Sequence, residues 1–266
     1  MKKFIKLRVI IFNICLILVS GITSALLLAS SREYYRSQFE KNGIYSTEGE
    51  FGEKRRRIYF IGGDTTVSAT FSDEQYNQMI DHIIDYLFTD KESFELILDG
   101  VEVWGDGSCD GVSVFGDKAI SHMADVKSLI RAVIVIGAIS ALILIALIVF
   151  FIIKRQECAE YLLCYTGYFY AALAIFAAGF CLWSLIGAKV TSKTFLYRLW
   201  GNLHYLLFPF QPEKYENSYL SDPLTQILSL ELFITALITV LVTVATAVAI
   251  WLGGAYFIKR KYKPHP

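Results

Sequence analysis

The sequence has little of what enzymes ordinarily use for chemistry. It contains four histidines in 266 residues, and its five cysteines are an odd number that gives no disulfide framework. It has no HExxH, no CxxC pair, no GxSxG, no phosphate loop and no GxGxxG followed by an acidic ribose contact. The 25 basic and 25 acidic residues cancel, so net charge says nothing about nucleic-acid binding. The usual signatures of hydrolases and nucleotide-binding enzymes are therefore missing.

Charge is also missing from four long stretches, and these define the class of protein. Each has at least 21 residues, and they cover residues 9–29, 132–153, 161–186 and 232–258. About 20 helical residues cross a hydrocarbon core of ~30 Å. The apolar content of 55% and the mean hydropathy of +0.46 agree with a membrane protein. The sequence predicts four membrane-spanning helices, without the charged residues or paired Gly/Pro breaks typical of transporters.

The first stretch is interpreted as a retained signal anchor. It follows a basic start and ends in small residues, as a cleaved signal peptide does, but its 21 residues exceed the roughly 7–15 of a signal-peptide core. Cleavage is the alternative.

Basic residues at the helix ends predict the orientation. Residues 2–8 contain four basic residues and no acid, residues 259–263 contain four more, and Lys154 and Arg155 lie between the second and third spans. Cytoplasmic loops carry such an excess of Lys and Arg. Both termini are therefore predicted to be cytoplasmic, with a cytoplasmic turn at 154–160 and a tail at 259–266. Residues 30–131 and 187–231 are predicted to lie outside.

The larger outer segment has the pattern of a small α+β domain. Ser72 and Gln75 form a capping-box start for a helix that is predicted to end near residue 88. Alternating residues on both sides of Asp99-Gly100 predict a hairpin, and residues 56–63 and 111–117 could add strands. The predicted architecture is a membrane all-α four-helix bundle with a small extracytoplasmic α+β cap.

The second outer segment is predicted to lie at the membrane interface. Its Trp and Tyr residues favour the headgroup level, because one part of each of these ring systems is apolar and the other is polar. The segment contains His204, and Pro209 ends any helix there. The aromatic residues are Trp200, Tyr205, Phe208 and Phe210.

Two histidines stand at the outer membrane edge and suggest one shared site. His122 precedes the second span and His204 lies between the third and fourth. If residues 120–127, ISHMADVK, are helical, His122 and Asp125 are three residues apart and share a face. A carboxylate there can fix the imidazole tautomer and make the other ring nitrogen a better base. His82 is better explained as an ordinary half-buried histidine, and His265 lies in the cytoplasmic tail.

Lys127 and Arg131 form a candidate lipid-binding pair. They are four residues apart and would face one direction at headgroup depth, where they could hold lipid phosphate. The alternative is that both simply extend to the interface, as basic residues at the end of a span usually do. Asp125 has an alternative as well, because an acid near a helix start complements the helix dipole.

Four segments resemble one bacterial integral-membrane family. They are HMADVK at 122–127, NLHYLLFPF at 202–210, NSYLSDPLTQIL at 217–228 and FSDEQYNQMIDHIIDYL at 71–87. Together they are similar in content and order to the family that includes the lipoprotein intramolecular transacylase. HMxDVK is the most specific of them.

The resemblance implies an acyltransferase of the bacterial cytoplasmic membrane. Its substrate would be a diacylglyceryl-modified lipoprotein whose sn-2 acyl chain moves to the lipoprotein's own N-terminal amine. The implied partners are such lipoproteins and membrane phospholipid, with no cofactor and no metal. His122, oriented by Asp125, and His204 would share the proton transfers and the stabilisation of the oxyanion.

Two other classes of function remain open from the residues. A non-catalytic membrane protein could use its outer domain to bind a partner or lipid. A metal-dependent membrane hydrolase could use two histidines and a carboxylate as zinc ligands, although no acidic cluster lies beside either histidine.

Overall fold

The computed structural model describes residues 2–42, 58–62, 65–104, 110–191, 194–195, 198–199, 201–202 and 223–261. The helices within these ranges are α1 Lys2–Ala29, α2 Arg32–Lys41, α3 Asp73–Phe88, α4 Asp117–Ile153, α5 Arg155–Thr191, α6 Pro223–Ile227 and α7 Leu230–Lys261. The strands are β1 Ile58–Gly62, β2 Thr65–Thr70 and β3 Glu102–Trp104. The chain divides into two compact units. The helical unit draws on residues 1–25, 133–207 and 237–266, and the mixed unit on residues 26–132 and 208–236.

Four helices are long and apolar enough to cross a membrane, as the sequence predicts. They are Lys3–Ala29 of α1, all of α4, Tyr161–Ile186 of α5 and all of α7. All four helices extend beyond the predicted spans, and the largest extension is at the start of α4. Helix α4 begins 15 residues before the uncharged stretch that starts at 132, because apolar residues at helical spacing continue towards its N-terminus. The predicted turn at 154–160 shortens to Lys154 alone, since α5 already begins at Arg155.

A buried polar cluster joins three helices of the helical unit. Asn13 of α1 is fully buried, and its side-chain amide donates to the Val9 carbonyl at 2.7 Å and to the Thr166 hydroxyl of α5 at 3.2 Å. The Trp251 indole of α7 donates to the same hydroxyl at 3.4 Å. The ring of Phe12 lies 4.1 Å from that of Trp251. Apolar helices gain little by burying apolar surface from lipid, so hydrogen bonds and close packing of this kind hold them together.

The mixed unit contains an antiparallel sheet in the order β1-β2-β3. The predicted hairpin across Asp99-Gly100 is wrong, because β3 pairs with β2 through Ala69 and Val103. On the other side of the turn, Ile97 forms an isolated bridge with Ser113. The turn itself is as expected, since Gly100 has φ +65°. The longer β2 offers β3 a partner within the sheet, and this tertiary pairing prevails over the local signal.

Helix α3 supplies the largest part of the core of the mixed unit. The helix ends at Phe88 as predicted, and its buried face contains Tyr76, Met79, Ile80, Ile83 and Leu87. These side chains pack in one cluster with residues of α2, α4, α6 and α7 and with Phe71, Phe94 and Phe115. Helix α4 joins the cluster through Ala119 and Met123. The α3 core therefore holds the first turns of α4.

The predicted capping box begins α3, and it also reaches the turn that follows. The Ser72 hydroxyl accepts from the Gln75 backbone N–H at 3.2 Å, and Gln75 Oε1 accepts from the Ser72 backbone N–H at 2.8 Å. Gln75 Nε2 then donates to the Asp99 carbonyl at 2.8 Å. One side chain thus ties the start of α3 to the Asp99-Gly100 turn.

Replacement of Ser72 by alanine is expected to cost about 1 kcal/mol of local stability, because the first turn of α3 loses a side-chain acceptor for a backbone N–H. Hydrogen exchange of residues 73–78 in the detergent-purified full chain should then be about fivefold faster. Ser128→Ala is the matched control, since Ser128 is an exposed serine inside α4. Equal exchange of residues 73–78 in the two variants would contradict the capping role.

Candidate active site

Helix α4 carries four of the five residues that the sequence analysis singles out. Residues 120–127 are helical as expected. Their helix forms because Ala119, Met123 and the half-buried Ile120, Val126 and Ile130 recur at helical spacing and pack into the core of the mixed unit. The polar residues between them are placed by this packing.

His122 and Asp125 occupy neighbouring positions of one helix face. They are three residues apart on α4, and both side chains are half-buried. The Nδ1 atom of His122 is buried from solvent. A half-buried imidazole with a carboxylate one turn away can exchange protons with a neighbouring group while its orientation stays fixed. The helix thus gives His122 and Asp125 the spacing of three helical residues on which the predicted histidine–aspartate pair depends.

Lys127 is placed differently from the expectation of a headgroup contact. It is 7% exposed, and its ammonium donates to the Lys91 carbonyl in the segment after α3. The same ammonium lies 4.4 Å from the centre of the Tyr86 ring of α3, in a cation–π contact. Because Lys127 points into the mixed unit, it does not form an exposed pair with Arg131.

Arg131 keeps an exposed position. Its side chain is 60% exposed, and its nearest carboxylate oxygen, Asp90 Oδ1, is 3.4 Å from Nη2. Asp90 is itself fully exposed, so this ion pair contributes little to stability and can yield to another anion. Arg131 is therefore an exposed cation, as the sequence predicts for a residue at the end of a span.

His82, which the sequence analysis treats as structural, makes two contacts with the segment after α3. It is buried; its Nε2 lies 3.0 Å from the Phe94 carbonyl, and its Nδ1 lies 2.9 Å from the ammonium of Lys91. Burial lowers the pKa of His82 below that of a free imidazole, and the charge of Lys91 lowers this pKa too. These contacts could not be predicted from the sequence, because Lys91 and Phe94 lie 9 and 12 residues after His82 in a segment without regular structure.

The second predicted histidine, His204, lies outside the described residues, together with most of its aromatic segment and with Cys109. Within the described ranges, no group of three His, Cys, Asp or Glu side chains is arranged to hold a metal ion.

Comparisons with known proteins agree with this architecture. The family model described as lipoprotein intramolecular transacylase Lit matches residues 10–233. Among solved structures, the membrane-integral lipoprotein intramolecular transacylase Lit from Bacillus cereus is similar, with a TM-score of 0.62 and 12% identity over 98% of each chain. At this identity the structural likeness concerns the fold alone. No curated protein matches the chain.

The burial of Lys127 gives a test of the site's construction. Lys127→Met keeps the apolar stem but removes the donor to the Lys91 carbonyl, a hydrogen bond worth about 1.5–3 kcal/mol when one partner is charged. Hydrogen exchange of residues 89–94 should therefore be at least about tenfold faster in Lys127→Met than in the parent chain.

Lys118→Met provides the control, because Lys118 is exposed and lies in the first turn of the same helix. It should leave the exchange of residues 89–94 unchanged. If Lys127→Met also leaves it unchanged, the Lys127 contact does not hold this segment.

Proposed function

Because the chain belongs to the lipoprotein intramolecular transacylase family, we propose that it catalyses acyl transfer within a lipoprotein. The substrate carries a thioether-linked diacylglyceryl group on an N-terminal cysteine with a free α-amine. The sn-2 acyl chain moves from its ester oxygen to that amine, and the product is a lyso-form lipoprotein. The family match over residues 10–233 is the observation that carries this proposal.

The reaction needs no external energy source. The amine nitrogen attacks the ester carbonyl carbon, a C–N bond forms, and the bond from that carbon to the sn-2 oxygen breaks. A proton leaves the nitrogen and a proton reaches the sn-2 oxygen, so charge and atoms balance without a co-reactant. Ester to amide is downhill, and donor and acceptor belong to one molecule. Good alignment in such a case can supply an effective molarity of up to ~10⁵–10⁸ M.

His122 is proposed as one proton-transfer partner, oriented by Asp125. The half-burial of both side chains on one face of α4 supports this role. An imidazole with a pKa near 6.5 can accept the amine proton and can also return it to the leaving oxygen. His204 is proposed as the second partner or as the stabiliser of the oxyanion.

The proposed site faces the outside of the bacterial cytoplasmic membrane. The basic residues at 2–8, 154–155 and 259–263 support cytoplasmic termini. The mixed unit would then be a small extracytoplasmic α+β cap, and the four long helices a bundle in the membrane. The acyl chains of the substrate would lie between the outer halves of the membrane-spanning helices. Arg131 would hold an adjacent phospholipid headgroup.

Expression in a bacterium that lacks this activity tests the proposal directly. Mass spectrometry of a reporter lipoprotein should show an N-acyl, S-monoacylglyceryl N-terminus. His122→Ala and His204→Ala should each lower its yield by at least about 100-fold, since a general acid or base contributes about 10²–10⁴ in rate. Asp125→Asn should lower the rate less, because the imidazole remains.

His265→Ala in the C-terminal tail is the matched histidine control and should leave the product unchanged. A well-expressed parent chain that leaves the reporter lipid unaltered would contradict the transacylase and favour a non-catalytic, lipid-binding protein. Loss of activity on chelation would instead favour a metal-dependent reaction.

The proposed role of Arg131 predicts a change in binding rather than in chemistry. Arg131→Gln removes a cation at headgroup depth, so the apparent KM for a lipopeptide in anionic vesicles should rise several-fold while kcat stays constant. The exposed Lys118→Gln should change neither constant. An unchanged KM in Arg131→Gln would remove Arg131 from the lipid-binding site.

A further inference from the structure

The segment that follows α3 is held from two sides. On one side, Nδ1 of His82 lies 2.9 Å from the Lys91 ammonium, and Nε2 of His82 lies 3.0 Å from the Phe94 carbonyl oxygen. On the other side, Lys127 of α4 donates to the backbone carbonyl of the same Lys91. Lys91 is therefore bound at its side chain by α3 and at its backbone by α4. We refer to His82, Lys91 and Lys127 as the brace.

These contacts determine the protonation state of His82. An ammonium has only donors, so Nδ1 must accept from Lys91, and a carbonyl only accepts, so Nε2 must carry the hydrogen that goes to Phe94. The ring is thus the neutral Nε2–H tautomer. Protonation would replace the acceptor by a donor and set two positive charges 2.9 Å apart.

The surroundings of His82 give that second charge little compensation. The rings of Phe94 and Phe115 lie 5.2 Å and 6.3 Å from the imidazole. The charged groups that act on it are Lys91 in the following segment and Asp85 on α3. From α4, Lys127 adds a further cation behind the Lys91 carbonyl. Protonation of His82 therefore breaks its contact with Lys91.

The brace acts on the part of α4 that carries the proposed chemistry. Lys127 lies two residues after Asp125 and five after His122, inside one continuous helix. Met123 sets the packing of this turn in the core, and Lys127 is the polar contact that fixes it against the segment after α3. A small rotation of α4 would turn His122 and Asp125 away together, since the three residues move as one body.

We infer that His82 is a positioning residue for the acyl transfer, acting through Lys91 and Lys127 on the turn of α4 that holds His122 and Asp125. The inference rests on the proposed function. It requires the neutral ring, so activity should fall on the acid side by more than the protonation of the catalytic groups alone produces. In the parent chain, protonation of His82 should add a decrease of about tenfold to the decrease that the catalytic groups cause, because the brace is then broken.

Lys91 gives the safest variant, because it is exposed and its removal spares the core. Lys91→Met should lower kcat about tenfold, leave KM within about twofold, and show a shallow acid limb that lacks this additional decrease. Lys91→Arg keeps a donor and should recover most of kcat. The exposed Lys118→Met on α4 should behave as the parent chain does.

His82 is then tested against Lys91 in a double-mutant cycle. His82→Leu should lower kcat as much as Lys91→Met does, and the double variant should be no slower than either single one. His82→Asn retains an acceptor where Nδ1 stands but does not titrate. It should keep most of kcat and show the shallow acid limb.

The outcomes separate the two proposals. No N-acylated product from the parent chain overturns the proposed function and the brace's role with it. A parent chain that makes the product overturns the inference alone if Lys91→Met retains full kcat, or if its acid limb equals that of the parent chain. Additive losses in the double variant would likewise overturn it.

Discussion

The unbroken backbone of α4 is the constraint on which the proposed site depends. Helices bend sharply at proline, at certain small residues or where a side chain enters the hydrogen-bond ladder. The 37 residues from Asp117 to Ile153 contain no proline. At Gly137 an added Cβ would meet Ile22 of α1 at 3.1 Å, so this glycine serves close packing of α1. Residues 125 and 132 are thus about 10 Å apart along one axis, which puts Asp125 within headgroup depth of the first uncharged turn.

Such a helix positions a site only if its rotation is also fixed, and apolar packing alone defines that rotation loosely. The contacts of the Lys127 ammonium restrict the rotation of α4 further. A buried ammonium is costly unless its donors are used, and here one of them is directed at the Lys91 carbonyl while the charge faces the Tyr86 ring. Rotation of α4 would leave the cation buried without these contacts. The cost of burying Lys127 therefore adds to the apolar packing of Ala119 and Met123 in fixing the orientation of α4.

The sequence allows prediction of the features whose causes are local. The four long helices follow from uncharged stretches, the start of α3 from Ser72 and Gln75, and the positive φ of Gly100 from its turn. The pairing of β3 could not be predicted, because its partner β2 is more than 30 residues away and the adjacent segment offers an equally good alternation. The prediction that Lys127 faces the lipid headgroups failed for a related reason. Helical spacing gives the face of a residue, but which face is buried depends on the segment that packs there.

In the candidate site, too, some features have local causes and others depend on residues that are distant in the sequence. The relation of His122 to Asp125 is a property of helix geometry and can be predicted from a spacing of three residues. The role of His82 depends on a ring nitrogen meeting a lysine from an irregular segment, and no periodicity encodes that. An acyl transfer that is downhill and intramolecular needs little from a catalyst beyond proton exchange and alignment. Misplacement of a catalytic group by 1 Å can lower the rate about 100-fold. In the proposed site, the groups that align His122 and His204 would therefore matter as much as the two histidines themselves. With His82 as the proposed positioning residue, part of the pH dependence of the reaction would originate at a buried neutral imidazole.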